Sequence, residues 1–158
     1  MKKRLVSLLA AACVLGVAPL AQSAGRSGNA GEISLQSGFG PVPRSIAVQA
    51  GGYRFASGIS RSCAGLIGGD PTLKLSFTSS SRRPLHIGVM AQQDTTLLIR
   101  APNGLWYCDD DGWGNQDPLV SFEPAMSGTY EIWVGSYERE RTVGATVMIS
   151  EARNPRKT

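Results

Sequence analysis

The stretch TLKLSFTSSSRRPLHIGVM, residues 72–90, contains two apolar alternations separated by a polar segment. Every second residue from Leu73 to Phe77 is large and apolar, and the same holds from Leu85 to Val89. Because successive side chains of a β-strand point to opposite faces, each run predicts a strand with one buried face. The polar segment SSSRRP, residues 79–84, is interpreted as a hairpin tip, with a small basic contact patch as the alternative.

Runs of the same kind extend over most of the remaining chain. They are SIAVQA (45–50), YRFAS (53–57), TTLLIR (95–100), WYC (106–108), LVSFEP (119–124), TYEIWVGSY (129–137) and GATVMIS (144–150). Turn-forming residues such as Gly51-Gly52, Pro102-Asn103-Gly104 and Ser127-Gly128 separate them. No segment has the 3.6-residue period of an amphipathic helix. The pattern therefore predicts an all-β protein, an antiparallel, jelly-roll-like β-sandwich of about eight strands.

The N-terminus has the features of a secretory signal peptide. Three basic residues precede the apolar run 5–20. The small residues Ala21 and Ser23 follow, at the −3 and −1 positions of a predicted cleavage site. A membrane anchor is disfavoured because the run is short and contains Gly16 and Pro19, and acylation of Cys13 lacks a matching lipobox. We expect a signal peptide at 1–23, a flexible lead-in at 24–32, a β-sandwich domain at 33–151 and a polar tail at 152–158. The predicted location is the periplasm or the exterior of the cell.

The basic charge of the chain belongs largely to this signal segment. The formal net charge is +4, and Lys2, Lys3 and Arg4 leave with the signal peptide, so the exported chain carries +1. A charge this small gives no electrostatic footprint for nucleic acid. We therefore expect no nucleic-acid partner. Because the apolar run 5–20 is short and interrupted, we also expect no membrane span.

Two cysteines, Cys63 and Cys108, remain in the exported chain. In an exported protein such a pair most often forms a disulfide, which is our prediction. The alternatives are free thiols or a two-thiol metal site, although a metal site usually needs more Cys or His ligands than this chain supplies.

An acidic loop, DDDGWGNQD, follows Cys108 directly. Its oxygen-bearing side chains are the hard ligands that calcium prefers, and its glycines would let the backbone fold around an ion. The spacing lacks the alternating ligands and the final Glu of an EF-hand, so we favour a solvated turn whose acids cap backbone N–H groups, with a calcium site as the alternative. The candidate ligands are Asp109, Asp110, Asp111, Asn115 and Asp117.

The order of turns around this loop resembles the bacterial pre-peptidase C-terminal domain family. The resemblance covers Leu73 to Ile149 and rests on a strand, a P-x-G turn, a DD loop with further acids, a P-x-SG-x-Y turn and an apolar strand. The matching residues are Pro102, Gly104, Asp109, Asp110, Asp117, Pro118, Pro124, Ser127, Gly128 and Tyr130. The resemblance implies a non-catalytic β-sandwich of the kind found beside secreted peptidases. Some sandwiches of this family bind calcium. The cysteine pair and the missing peptidase domain depart from the usual family pattern.

Trp113 lies between two glycines of the acidic loop and is the candidate for a binding surface. An exposed tryptophan can stack on a sugar or anchor a protein, so an unknown protein or a glycan is the expected partner. A carbohydrate-binding module is therefore the alternative function. In the other interpretation, the indole folds back as a clasp over the end of the sandwich. For Trp106, two residues before Cys108, we expect packing against the disulfide.

A small secreted hydrolase is the remaining function considered. His86 is the only histidine, and no G-x-S-x-G elbow accompanies it. Its place in the alternation puts it on the outer, solvent-facing side of a strand. We therefore expect a non-catalytic protein with no assigned catalytic residue.

Overall fold

The computed structural model describes residues 31–80, 82–138 and 142–152. The predicted signal peptide, most of the lead-in and most of the polar tail lie outside these residues. Within them, eleven strands and one 3-10 turn, Ala56–Gly58, form the fold. The strands are β1 (Glu32–Gln36), β2 (Arg44–Ala50), β3 (Arg54–Phe55), β4 (Leu66–Ile67), β5 (Leu73–Thr78), β6 (Leu85–Ala91), β7 (Thr95–Arg100), β8 (Trp106–Asp109), β9 (Leu119–Phe122), β10 (Gly128–Ser136) and β11 (Val143–Ser150).

The strands form two sheets, so the predicted all-β sandwich is confirmed. Sheet A has the order β1-β5-β10-β4-β3, and β7 pairs with β10 on its other edge and with β8. Sheet B has the order β2-β11-β6-β9. No helix in the described part of the chain is both long and apolar enough to cross a membrane.

The main core lies between the two sheets and consists of the apolar sets predicted by alternation. Leu73, Leu75 and Phe77 enter it from sheet A, and Ile87 and Val89 enter it from sheet B. Tyr130 is also fully buried there. Its hydroxyl accepts a hydrogen bond from the Met126 backbone N–H and donates one to the Met126 carbonyl, both at 2.9 Å. This contact holds the turn before β10 against the sandwich.

A second, smaller core covers part of the outer face of sheet A. Residues 52–65, which we call the flap, fold over this face, and Trp133 lies beneath them with 7% of its surface exposed. The predicted Cys63–Cys108 disulfide is confirmed, with its Cα atoms 5.6 Å apart, and it joins the flap to β8. Trp106 packs in this cluster beside Cys108, as expected, with its ring centroid 5.3 Å from that of Trp133.

Two local expectations were wrong. Residues 79–84 do not form a hairpin tip, because β5 belongs to sheet A and β6 to sheet B, so this segment crosses between the sheets. The short run Glu32–Gln36 was not predicted as a strand, yet it forms β1 and pairs with β5 in parallel. Only Ile33 and Leu35 mark its alternation, and both are partly buried at the edge of the core.

The disulfide predicts a measurable loss of stability on its removal. The bridge spans 45 residues of sequence, and closing a loop of that length stabilises a chain by about 4 kcal/mol in the chain-entropy model. We expect Cys63→Ser/Cys108→Ser to lower the free energy of unfolding by about this amount in guanidinium titrations. Ser62→Ala, next to Cys63, serves as a control that keeps the bridge. A loss below about 1 kcal/mol would contradict the prediction.

Candidate functional site

Three connections meet at one end of the sandwich. They are residues 92–94 between β6 and β7, residues 110–118 between β8 and β9, and the connection from β10 to β11, of which Tyr137, Glu138 and Thr142 are described. The backbone N–H of Tyr137 donates to the Asp94 carbonyl at 3.2 Å, and that of Thr95 donates to the Gln116 carbonyl at 3.5 Å. These contacts bring the acidic loop together with residues distant in sequence.

Asp109 is a structural residue of the loop. Its Oδ2 accepts hydrogen bonds from the backbone N–H of Gly112 at 2.7 Å and of Leu119 at 2.8 Å. The carboxylate therefore closes the first turn of the loop and ties it to the start of β9. A Cβ at Gly112 would lie 2.5 Å from this oxygen, which explains the glycine three residues after Asp109.

Asp117 has a similar role at the other end of the loop. It is 6% exposed, and its Oδ1 accepts a hydrogen bond from the backbone N–H of Ala91 at 3.1 Å. Before it, Asn115 and Gln116 adopt left-handed conformations with φ of 58° and 63°. Asn tolerates this region better than Gln, so Gln116 carries backbone strain of order 1 kcal/mol. Its side-chain amide approaches Asp94 Oδ2 at 3.5 Å.

The remaining acids gather at the surface of this end. We call Asp94, Asp110, Asp111, Glu138 and the half-exposed Tyr137 the acidic end. Burial raises the pKa of Asp94 above its ordinary value, and the negative charges of Asp111, Asp110 and Glu138 raise it further. A cleft lined in part by Asp94, Tyr137 and Glu138 opens here. Among the described residues, the geometry thus concentrates negative charge around a shallow depression.

Trp113 is half-buried and lies on the outer face of sheet B. A Cβ at Gly88 would lie 2.7 Å from two of its ring carbons, so the indole packs flat over a glycine of β6. Its backbone N–H donates to the Asp117 carbonyl at 2.9 Å. The indole therefore folds back onto the protein, as in the clasp interpretation, but over the outer face of sheet B and not over the end of the sandwich.

The five candidate calcium ligands are not assembled into one cage. Asp109 and Asp117 direct carboxylate oxygens at backbone N–H groups, whereas Asp110 and Asp111 remain near the surface. Among the described residues, no three His, Cys, Asp or Glu side chains are grouped closely enough to hold a metal ion. The donor set therefore does not fit a preformed calcium site, and calcium binding stays a prediction.

His86 lies on the outer side of β6, as its alternation predicts, but the expectation of solvent exposure was wrong. The residue is 2% exposed, and its Nδ1 lies 2.8 Å from Ser121 Oγ on β9. A triad also needs a carboxylate that orients the imidazole. Asp94 is the acid nearest to His86 in sequence. It lies beyond the other end of β6, among the acids of the acidic end.

Sequence reasoning missed Asp94, Tyr137 and Glu138 as parts of the site. A signal for them existed in the order of the strands. In a run of up-and-down strands, alternate connections lie at the same end, so the connections after β6, β8 and β10 share one end. The three missed residues lie in the first and last of these connections.

Comparison with known proteins gives structural likeness only. No family model and no curated protein sequence matches the chain. One similar solved structure is the pre-peptidase C-terminal domain of a collagenase from Bacillus anthracis, with a TM-score of 0.48 and 14% identity over 80% of this chain and 99% of that one. Another is PliG of Aeromonas hydrophila, a periplasmic inhibitor of g-type lysozyme, with a TM-score of 0.44 and 13% identity over 75% of this chain and 94% of that one. Both TM-scores are below 0.5, so neither likeness assigns a family or a function to this chain.

The unequal roles of the loop acids lead to a matched prediction. Asp109→Ala leaves two backbone N–H groups without their acceptor and should lower the free energy of unfolding by about 1–3 kcal/mol. Asp110→Ala removes a surface charge and should change it by less than about 0.5 kcal/mol. Urea titrations of both variants compare the two directly, and equal losses would contradict the assigned roles.

The raised pKa of Asp94 predicts the pH dependence of another variant. The folded protein holds this proton more tightly than the unfolded chain, so ionised Asp94 lowers stability at neutral pH. The cost disappears as the pH falls through the raised pKa toward the ordinary value of 3.8. Asp94→Asn keeps an oxygen facing Gln116, and we expect it to raise Tm at pH 7.

Thermal melts of wild type and Asp94→Asn across this pH range provide the measurement. The gain in Tm should vanish near pH 3, where both forms are neutral at this position. Asp70→Asn, at an exposed acid in another turn, controls for the general effect of removing one charge. A gain that persists unchanged at low pH would show that the ionisation of Asp94 is not its cause.

Proposed function

We propose that the protein is an exported, non-catalytic binding module that binds a basic protein partner at the acidic end. The observation that carries the proposal is the group of carboxylates around Asp94: burial raises the pKa of Asp94, and the negative charges of Asp111, Asp110 and Glu138 raise it further. Such a group lowers the stability of the free protein. A cationic partner would offset the repulsion and would also be attracted over a distance of several ångströms.

The ion pairs of the described residues support this assignment. Both of them involve Glu131 on sheet A, with Lys74 at 3.9 Å and Arg100 at 3.6 Å. Asp94, Asp110 and Asp111 take part in neither. The charges of Asp110 and Asp111 therefore remain available to a partner, whereas Asp94 is partly buried, and half-exposed Tyr137 adds an aromatic contact of the kind enriched at protein interfaces.

The backbone around these acids is held in place, which favours recognition. Asp109 and Asp117 fix the two ends of the loop by hydrogen bonds, so Asp110 and Asp111 project from a defined turn. Binding to a preorganised loop costs less conformational entropy than binding to a mobile one. The half-buried position of Trp113 makes it less suited to stacking on a sugar, so we favour a protein over a glycan.

The proposal is tested by capture on matched variants. The oxidised protein is produced from the full sequence, immobilised, and exposed at low salt to an extract of exported proteins from the producing cells. We expect the wild type to retain one or more basic proteins that Asp110→Asn/Asp111→Asn does not retain. Raising the salt concentration should weaken the retention, because it screens the charges.

Two comparisons make the result decisive. Asp70→Asn, which changes an acid outside the acidic end, should retain the same proteins as the wild type. The proposal fails if no protein distinguishes the wild type from the double variant, or if the retained proteins are acidic.

The same samples test calcium. Calcium binding requires that Tm rise with added calcium relative to a chelator, and that Asp110→Asn remove the rise. Asp109 and Asp117 would have to exchange backbone hydrogen bonds for metal contacts. Coincident melts would remove calcium from the proposal and leave the protein partner.

A further inference from the structure

The outer face of sheet A has two parts that differ in their contact with water. One part is a charged row in which Glu32 lies opposite Lys74, Lys74 opposite Glu131, and Glu131 opposite Arg100. The other part is apolar, and the flap covers it. An antiparallel sheet meets water with polar side chains or is covered, so the position of the flap decides whether this apolar part is exposed.

The backbone of the flap is bonded to itself and to the segment that follows it. The Ala56 N–H donates to the Gly65 carbonyl at 3.0 Å, within the flap. The Tyr53 N–H donates to the Ile67 carbonyl on β4 at 3.1 Å. These bonds give the flap its own order and fasten it to β4, which pairs with β10 at a single register position.

The main core is built without the flap. All of its residues lie outside the range 52–65. The flap contributes Ala56, Cys63 and the partly buried Ile59 to the second core instead. Segments with few buried apolar contacts open locally at a smaller cost in free energy than global unfolding. The flap can therefore leave sheet A while the two sheets stay packed.

Two polar atoms beneath the flap oppose its closure. Trp133 is 7% exposed and Thr96 is 2% exposed. Neither the indole Nε1 of Trp133 nor the Oγ1 of Thr96 has a hydrogen-bond partner among the described residues. Burial of a polar atom without a partner costs free energy, and contact with water removes that cost. The closed position therefore depends on the Cys63–Cys108 bridge, which ties the flap to β8.

Gly65 sets how closely the flap approaches the sheet. Its φ is 84°, and a Cβ at this position would lie 2.6 Å from Thr96 Oγ1 and 2.7 Å from the Ser136 carbonyl oxygen. Gly58 is also in the flap, and a Cβ there would have no other atom within 4 Å. The two glycines are a matched pair of sites at which closure can be tested with the bridge intact.

We propose that the flap is a redox-operated lid, which opens and exposes Trp133 when a dithiol reduces the Cys63–Cys108 bridge, while the sandwich stays folded. Cys108 is partly exposed and Cys63 is 4% exposed, so the reductant reaches the Sγ of Cys108. A thiolate of the dithiol attacks this sulfur, the S–S bond breaks, and Cys63 leaves as a thiolate that takes up a proton.

The exchange is completed by the second thiol of the reductant. It attacks the reductant's own sulfur in the mixed disulfide, which releases Cys108 as a thiol and leaves the reductant as a disulfide. Two electrons have then passed from the dithiol to the bridge. The flap keeps its bonds to β4 but loses its covalent link to β8.

Hydrogen–deuterium exchange of the protein, produced from the full sequence, tests the proposal in the oxidised form and with excess dithiothreitol. Thiol titration should show two more thiols after reduction under native conditions. We expect amide exchange in residues 52–65 to rise by more than about tenfold on reduction, and exchange in β5 and β11 to change by less than about twofold. Quenching of tryptophan fluorescence by acrylamide should increase in parallel, because Trp133 becomes accessible.

Three variants provide the controls. Cys63→Ser/Cys108→Ser should behave like the reduced protein with or without dithiothreitol, which separates the bridge from other effects of the reagent. Gly65→Ala should raise exchange in the flap of the oxidised protein, because its methyl group meets Thr96. Gly58→Ala should exchange like the wild type. If Gly65→Ala does not fold, the comparison of oxidised and reduced wild type decides.

Several results would overturn the proposal. One is a bridge that dithiothreitol leaves intact in the folded protein. Another is a reduced protein whose flap exchanges like that of the oxidised form. A reduced protein in which β5 and β11 exchange as fast as the flap would show global unfolding and not a lid. Equal flap exchange in Gly65→Ala and Gly58→Ala would contradict the seating of the lid on Thr96.

Discussion

The alternation along β10 is the constraint on which the rest of the sandwich depends. Tyr130, Ile132 and Val134 point into the core, while Glu131 and Trp133 point outward. β10 pairs with β5 along its first half and with β7 along its second half, so both edges fix its register. A slip of one residue would bury Glu131 and expose Tyr130. The charged row and the disulfide-bridged flap of sheet A therefore both follow from this single register.

The acidic end shows how one run of acids can serve two purposes. Asp109 and Asp117 accept backbone hydrogen bonds, and these contacts stabilise their ionised forms within the loop. Asp110 and Asp111 have no such role. Burial raises the pKa of Asp94, and the charges of Asp111, Asp110 and Glu138 raise it further. In the proposed binding site a cationic partner would offset this repulsion.

The sequence was sufficient for whatever depended on local alternation and on chemistry between neighbours. It predicted the main strands and the disulfide, and its interpretation of the acidic loop as a turn whose acids cap backbone N–H groups agrees with the contacts of Asp109. It did not predict that residues 79–84 change sheets, because a sheet crossing and a hairpin can have the same polar composition. The burial of His86 and the contact of Asp94 with the acidic loop also escaped prediction. Both depend on tertiary neighbours far away in sequence.

Trp113 connects the acidic loop to the outer face of sheet B. Its backbone belongs to the loop that carries Asp110 and Asp111, while its indole lies against Gly88 on the outer face of sheet B. Only glycine at position 88 leaves room for the ring, so the close contact depends on this residue of β6. Because the indole holds the middle of the acidic loop to the sheet, its contact with Gly88 supports the loop conformation that presents Asp110 and Asp111.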